Sequence, residues 1–220
     1  MKHRLMQKNL AAFLALSTSL IAPQAMAQDS VVTLEEAIKA SKVLANLRLR
    51  YEGADFDNGT DTADALTYRA RIGLETGEFM GTKFLIEFDH VEDLVDDFND
   101  TVNGKTGFAV IADPNVTELN RLQLVNTALP DTKVTVGRQR IILDDSRFVG
   151  NVGWRQNEQT YDAVRVTNTS IKGLTLDASY VDQINRIFGD DAASGRFNSE
   201  SWFLNAGYKL PVEGMDVKLS

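Results

Sequence analysis

The sequence predicts an all-β protein, an antiparallel transmembrane β-barrel, from three observations. Apolar and polar residues alternate with period two over most of the chain, which is the pattern of strands with one apolar and one polar face. The connections between these strands are alternately short and long, as in membrane barrels. The chain also begins with the layout of an export signal.

Residues 1–27 predict a cleaved secretory signal peptide. An apolar run from Leu10 to Ala22 is followed by a small-x-small site at Ala25–Ala27, and the run is too short to cross a bilayer as a helix. We therefore expect export, location in a Gram-negative outer membrane and a mature chain that begins at Gln28. Three basic residues and no acidic residue precede the run: Lys2, Arg4 and Lys8.

The composition after the signal peptide excludes several classes of protein. Removing the three basic residues of the signal from the 23 of the whole chain leaves 20 against 31 acidic residues, a net charge of −11. Such acidity argues against a nucleic-acid partner, which requires a basic surface. The chain has no cysteine, so disulfide frameworks, zinc–thiolate sites and cysteine nucleophiles are excluded.

A short helix is predicted ahead of the strands. Thr33 and Glu36 have the spacing of a capping box, in which each side chain accepts a hydrogen bond from the backbone of the other residue. The helix belongs to a periplasmic N-terminal segment, residues 28–42. The β-barrel domain follows over residues 43–220.

The clearest predicted strand runs from Leu66 to Glu75. Tyr68 and Ile72 lie on its apolar face, while Arg69 and Arg71 lie on its polar face. The strand length of about 9–11 residues matches a bilayer crossed at the usual tilt. Other alternating segments are Leu47–Glu52, Phe84–Asp89, Arg121–Leu124, Thr132–Leu143, Val164–Val166, Leu174–Tyr180 and Trp202–Lys209.

The segment Thr132–Leu143 departs from simple alternation. Val136 falls on one parity, whereas Ile141 falls on the other. A bulge near Gly137 would restore a single apolar face, and we predict one there.

The unequal connections set the predicted orientation. Because the barrel starts in the periplasm, the short turns face the periplasm and the long loops face the outside. The long loops are acidic, yet none has the spacing of a calcium-binding loop, so we predict no metal site. The short turns are Gly77–Gly81, Ala128–Asp131, Ser170–Gly173 and Pro211–Gly214, and the long loops are Gly53–Asp64, Glu92–Val116, Asp144–Thr160 and Ile187–Ser199.

A soluble antiparallel sandwich or a lipocalin-like barrel would alternate in the same way. Two features favour the membrane barrel: the unequal loops, and a double row of arginines on the polar face of two neighbouring strands. The opposite face uses Ala and Tyr freely and lacks the bulky residues of a dense soluble core.

The strand count predicts that the barrel is unfinished. About eight strands end at the turn Pro211–Gly214, and Met215–Leu219 begins a partial ninth, whereas bacterial single-chain barrels have an even number. We therefore expect a truncated larger barrel, with an eight-stranded barrel and a short tail as the alternative. Eight strands give an interior filled by side chains, whereas sixteen or more leave an aqueous channel.

The most distinctive stretch is Val136-Gly-Arg-Gln-Arg-Ile141, followed by Asp145–Gly150 and Trp154–Asp162, with Leu47–Glu52 near the start. Together these segments resemble the alginate export family of outer-membrane porins, over nearly all of the mature chain. The resemblance implies a large barrel with a basic constriction that passes an anionic uronate polymer. It implies that Arg48, Arg50, Arg69, Arg71, Arg138 and Arg140 face the lumen, and that Arg147 and Arg155 sit on a loop that folds inward.

Physical chemistry gives two interpretations of these arginines. Rings of Arg and Lys select anions in pores, and the arginine fork binds carboxylates bidentately. The same predicted face also carries Glu52, Glu75, Glu87 and Asp89, so its charges equally form a structural ladder of neighbouring pairs.

Three functions are consistent with these patterns. The first is a passive outer-membrane porin for small or anionic solutes, including anionic polysaccharide, embedded in outer-membrane lipid and lipopolysaccharide and needing no cofactor. The second is a small structural or adhesive barrel whose acidic loops meet surface partners. The third, a hydrolase, would depend on His90, the only histidine after the signal peptide. We expect His90 to be a girdle residue and the protein not to be an enzyme.

Overall fold

The computed structural model describes residues 13–19, 33–210 and 217–219, with side chains for residues 33–210. Over these residues the chain forms one antiparallel sheet and one six-residue helix, so the all-β prediction is confirmed. Each strand lies beside its sequence neighbours in the sheet. Within the same residues, no helix has the length and hydropathy needed to cross a bilayer.

Ten strands and the helix appear in the following order along the chain. They are β1 Phe13–Ser19, α1 Leu34–Lys39, β2 Lys42–Ala54, β3 Ala63–Glu75, β4 Thr82–Asp97, β5 Val116–Asn126, β6 Thr132–Gln139, β7 Thr160–Asn168, β8 Leu174–Asn185, β9 Arg196–Leu210 and β10 Val217–Leu219. The eight strands β2 to β9 correspond one to one with the eight predicted strands. β1 falls within the predicted signal peptide, the rest of which lies outside the described residues, and β10 falls within the predicted ninth strand.

The helix α1 begins at the predicted capping box. The Thr33 hydroxyl accepts a hydrogen bond from the Glu36 backbone N–H at 3.2 Å, and the Glu36 carboxylate accepts one from the Thr33 backbone N–H at 3.0 Å. The helix lies against the turn between β3 and β4, where the Gly77 N–H donates to the Ala37 carbonyl at 2.9 Å. A Cβ at Gly77 would lie 2.8 Å from that of Ala40, so this approach requires glycine.

The predicted short turns connect β3 to β4, β5 to β6 and β7 to β8, at one end of the sheet. Neighbouring turns are joined by a repeated backbone contact: Thr127 N–H donates to the Gly81 carbonyl, and Thr169 N–H donates to the Asp131 carbonyl, both at 2.8 Å. The fourth predicted turn, Pro211–Gly214, lies outside the described residues. The long connections leave the opposite end of the sheet, as the antiparallel order requires.

The predicted bulge near Gly137 is wrong. Register shifts occur in the pairs β3–β4, β4–β5, β7–β8 and β8–β9, whereas β6 pairs with both of its neighbours without a shift. The change of parity arises because β6 ends at Gln139. Ile141 therefore belongs to the following loop, where it packs in a buried cluster with Tyr161 and Val181.

The sheet is open in the described residues, because no pairing joins its outer strands β1 and β10. β1 pairs with β2 over seven residues, with Phe13 opposite Glu52 and Ser19 opposite Asn46. β10 pairs with β9 from Val217 to Leu219.

The two faces of the sheet have opposite chemistry and opposite exposure. On the apolar face, side chains such as Leu47 and Leu204 are 55% and 78% exposed. On the polar face, Arg50 is 3% exposed and Asp89 is 0% exposed. The apolar face is thus open to the surroundings, while the charged face is covered by the long loops of the chain itself.

Candidate functional site

Two long loops cover the polar face of β2 to β5. We call residues 98–115, between β4 and β5, loop L2, and residues 140–159, between β6 and β7, loop L3. L2 has a small apolar core of its own in which Phe98 and Ile111 pack against Ala63 and Ala65 of β3. L3 lies on the arginines of β2 and β3.

Arginines of the first two full strands hold the main chain of L3. Arg48 of β2 donates to the Trp154 carbonyl at 2.6 Å and to the Gly153 carbonyl at 3.1 Å. Arg69 of β3 donates to the Gln156 carbonyl at 3.1 Å. Since guanidinium groups offer five donors in a fixed fork, each of these arginines holds the loop in a defined position.

Asp113 of L2 joins both loops to the sheet. Its carboxylate accepts hydrogen bonds from the Gln156 backbone N–H at 2.8 Å and from Arg50 at 3.1 Å. Arg155 of L3 lies 3.5 Å from the same carboxylate and donates to Glu52 of β2 at 3.0 Å. Two arginines and two carboxylates, all buried, thus form one balanced cluster, which we call the Asp113 cluster.

A second cluster, the Glu158 cluster, also lies on the polar face. Glu158 of L3 accepts hydrogen bonds from Asn120 and Arg140, both at 2.7 Å, and lies 2.9 Å from a nitrogen of Arg71. Arg71 also forms a bidentate pair with Asp89, with both bonds at 2.6 Å. The cluster is completed by Glu87 and Arg121, which form a second bidentate pair.

The pKa of Glu158 shows how strongly this cluster holds the charged form. Burial alone would raise the pKa, but the hydrogen bond from Arg140 and the positive charges of Arg71 and Arg140 outweigh it. Together they lower the pKa to about 2. The ionised carboxylate of Glu158 is therefore part of the folded arrangement at any ordinary pH.

Acidification provides a test of this carboxylate. Its folded-state pKa is depressed, so its contribution to stability is present above the unfolded value of about 4.3 and is lost as the pH falls towards 2. We expect the protection of residues 151–158 against hydrogen exchange, corrected for the intrinsic exchange rate at each pH, to fall between pH 4 and pH 2. A Glu158→Gln variant should show a much flatter pH dependence over this range, and equal slopes in the two proteins would contradict the assignment.

Arg48 and Arg69 differ from the other arginines of the polar face. Neither forms an ion pair with a carboxylate among the described residues, and the two lie directly opposite each other on β2 and β3. Like charges in this position repel each other. Arg69 is 7% exposed, and its Nε has no hydrogen-bond partner in the described part of the chain. Among the described residues, the site therefore contains two arginines that no carboxylate contacts directly.

The structure brings six of the eight predicted site arginines together and leaves two apart. Arg138 lies on the row of Val134 and Val136 and forms a bidentate pair with Asp162, at 2.8 and 3.0 Å. Arg147 is exposed near the tip of L3, 3.7 Å from Asp145. The six that meet on the polar face are Arg48, Arg50, Arg69, Arg71, Arg140 and Arg155.

Sequence reasoning did not identify the loop residues that these arginines bind. Asp113 of L2 carries no local signal of its role, and neither does Asn120 of β5, which donates to Glu158. Gln156 and Glu158 offer a partial signal, because both lie in the distinctive stretch Trp154–Asp162, and the arginine rows of β2 and β3 require more acidic partners than those strands supply. The pairing of these residues depends on how L2 and L3 fold back.

The described residues show no arrangement suited to metal-dependent chemistry. In residues 33–210, no group of three or more His, Cys, Asp and Glu side chains is placed to hold a metal ion. His90 contacts Tyr68 at 3.2 Å and Thr117 at 2.7 Å, on the row of Phe88 and away from both clusters. Neither observation tests the expectation that the protein is not an enzyme.

Comparisons with protein-family models, with curated proteins and with solved structures give no match to this chain. The resemblance to the alginate export family therefore stays a prediction.

Proposed function

We propose that this chain forms part of the wall and the constriction of an outer-membrane β-barrel porin, which passes small or anionic solutes. The polar face of β2 to β5 lines the lumen, and L3 folds inward across it. The exposed apolar face contacts outer-membrane lipid and lipopolysaccharide. Anionic polysaccharide, as the sequence resemblance implies, is one solute class that Arg48 and Arg69, which form no ion pair in the described residues, would suit.

The observation that carries the proposal is the inverted exposure of the two faces. A soluble sandwich buries its apolar face and exposes its charges, whereas here Leu47, Ile72 and Leu204 are exposed and the charges of β2 to β4 are buried. Contiguous apolar surface in water costs about 25 cal/mol for each Å². A bilayer removes this cost, and a water-filled or loop-filled lumen accommodates the charges.

The path of L3 supports a curved wall. Its Asp144 accepts a hydrogen bond from Asn205 of β9 at 2.7 Å, and its Gly153 accepts one from Arg48 of β2. The eight residues between them make nine residue-to-residue steps, which span at most about 32 Å when fully extended, and L3 contains turns. In a flat sheet β2 and β9 would lie roughly 33 Å apart. These contacts of L3 therefore favour a sheet that bends around it, as the wall of a barrel does.

In the proposed barrel, further strands pair with the outer strands of the described sheet. Predicted cleavage after residue 27 would remove β1 and free the edge of β2 for this pairing. Closure also removes unpaired edges, which a membrane protein cannot leave in contact with lipid.

Planar-bilayer recording of the full-length gene product tests the proposal. We expect stepwise single-channel currents after insertion of protein whose β content has been verified by circular dichroism. Folded, inserted protein without current would overturn the porin proposal. It would favour a second candidate, a structural or adhesive barrel, which is supported by the way in which L2 and L3 cover the polar face.

Ion selectivity tests the role of the two arginines that form no ion pair. Replacing Arg48 and Arg69 together with Gln removes two lumen cations, keeps an amide donor for the L3 carbonyls that these arginines hold, and substitutes no ion-paired residue of either cluster. We expect the reversal potential in a salt gradient to shift towards cation selectivity. The control is Arg147→Gln, which removes an exposed charge of L3 and should leave the reversal potential nearly unchanged; equal shifts in both variants would refute the assignment.

A further inference from the structure

The apolar face carries a groove across β7, β8 and β9. Its walls are Val166 of β7 and Leu204 of β9, and its floor is Ala178 of β8, which lies opposite both walls in the register. The groove continues along the strands between Leu176 and Ala206, which are also paired. Its volume of about 360 Å³ is within the range of small-molecule sites in proteins.

The groove offers no free polar side chain to a ligand. Three polar residues lie along it, and each is engaged within the protein. Asn168 donates to Thr132 at 2.9 Å, and Asn205 donates to Asp144 at 2.7 Å. Asp177 accepts hydrogen bonds from Arg165 and Thr167, both at 2.8 Å. Recognition in this groove is therefore apolar.

The width of the groove suits a single unbranched chain. Its walls stand on strands two positions apart, so their backbones are roughly 9.6 Å from each other. The side chains of Val166 and Leu204 occupy part of that distance, and the remaining gap is too narrow for a helix of about 10 Å diameter. Beyond one end of the groove, the next residue pair on the same face of β8 and β9 is Tyr180 and Trp202, whose rings lie 5.1 Å apart.

We infer that this groove binds one acyl chain of a membrane lipid, held along the strands more tightly than the surrounding bilayer lipid. The inference rests on the proposed function, since it requires the apolar face to meet a bilayer. Tyr180 and Trp202, beyond one end of the groove, are of the residue types that are enriched at the edge of the hydrocarbon region of a bilayer. The small side chains of Ala178 and Ala206 create the space that a chain fills.

The test combines lipid retention with fluorescence quenching on the full-length protein. Ala178→Phe fills the floor of the groove, and Ala206→Phe does so at a second position if the first variant fails to fold. Ala45→Phe, on the exposed apolar face of β2, is the matched control. The proteins are reconstituted with phosphatidylethanolamine and extracted in mild detergent. Native mass spectrometry then gives the fraction of protein that retains a bound lipid. We expect the wild type and Ala45→Phe to retain one lipid about tenfold more often than the groove variants.

A second measurement separates failure of this inference from failure of the proposed function. In a Trp154→Phe background, Trp202 is the only tryptophan, and vesicles of phosphatidylcholine with brominated acyl chains should quench it. Quenching of Trp202 together with equal lipid retention in all variants would overturn the inference that the groove binds a lipid, but not the membrane-barrel proposal. If the wild type is detected at the mass of two protein copies and this species is absent in Ala178→Phe, the groove binds a second copy of the chain and not a lipid. Absence of quenching would overturn the membrane proposal and the groove together.

Discussion

Replacing Asp113 with Asn is expected to release L3 from the sheet. Asp113 is 1% exposed and balances Arg50 and Arg155 together with Glu52. Without its charge, two buried guanidinium groups share one carboxylate, and breaking a buried pair in this way costs about 3–5 kcal/mol. We expect the lower end of that range, because Glu52 remains and an Asn oxygen still accepts from the Gln156 backbone.

The measurement is equilibrium unfolding together with hydrogen exchange of residues 152–158. The variant should unfold at lower denaturant concentration, and these residues should lose protection more than the strands do. Asp145→Asn is the control, because its partner Arg147 is exposed and such pairs contribute at most about 1 kcal/mol. Equal effects of the two substitutions would show that L3 is not held through Asp113.

Replacing Gly137 with Ala is expected to separate β5 from β6. Gly137 has a φ of +111°, and a Cβ there would lie 2.2 Å from the Leu122 carbonyl oxygen of β5. The backbone conformation alone costs about 1–3 kcal/mol in a residue with a side chain. The clash with a backbone atom adds the loss of nearby ladder bonds, for a total of about 3–5 kcal/mol.

The control for this substitution is Gly107→Ala. A Cβ at Gly107 would meet no atom within 4 Å, so we expect a change of about 0.5 kcal/mol or less. Chemical denaturation of both variants, in the same detergent or lipid, gives the comparison. Similar unfolding midpoints would indicate that β5 and β6 are not paired at Gly137 as the structure has them.

The strands themselves could be predicted because their evidence is local. In β3, the alternation of Tyr68 and Ile72 with Arg69 and Arg71 places each residue on the correct face, and the capping box at Thr33 fixes the start of α1. Local evidence failed at the end of β6. There the parity change at Ile141 predicts a bulge, whereas in the structure the strand ends at Gln139 and the chain turns into L3.

The partners of the charged residues could not be predicted in this way. Arg155 meets Glu52 over a separation of 103 residues, and Arg50 meets Asp113 over 63. Nothing in the spacing of these residues indicates their contact, because it depends on the paths of L2 and L3. By contrast, the register of β6 and β7 places Arg138 opposite Asp162, and the path of L3 leaves Arg147 exposed.

By itself, the sequence determined an antiparallel all-β chain with one apolar and one charged face, because side chains alternate with period two along every strand. Only the tertiary structure decided which face is buried and which arginines lack an acidic partner. Those outcomes depend on long loops folding back over the sheet, and the free energy of a buried charge is set by groups that the fold brings from distant parts of the chain. Among the predicted arginines of the polar face, the tertiary structure therefore distinguishes Arg48 and Arg69 as the two that form no ion pair.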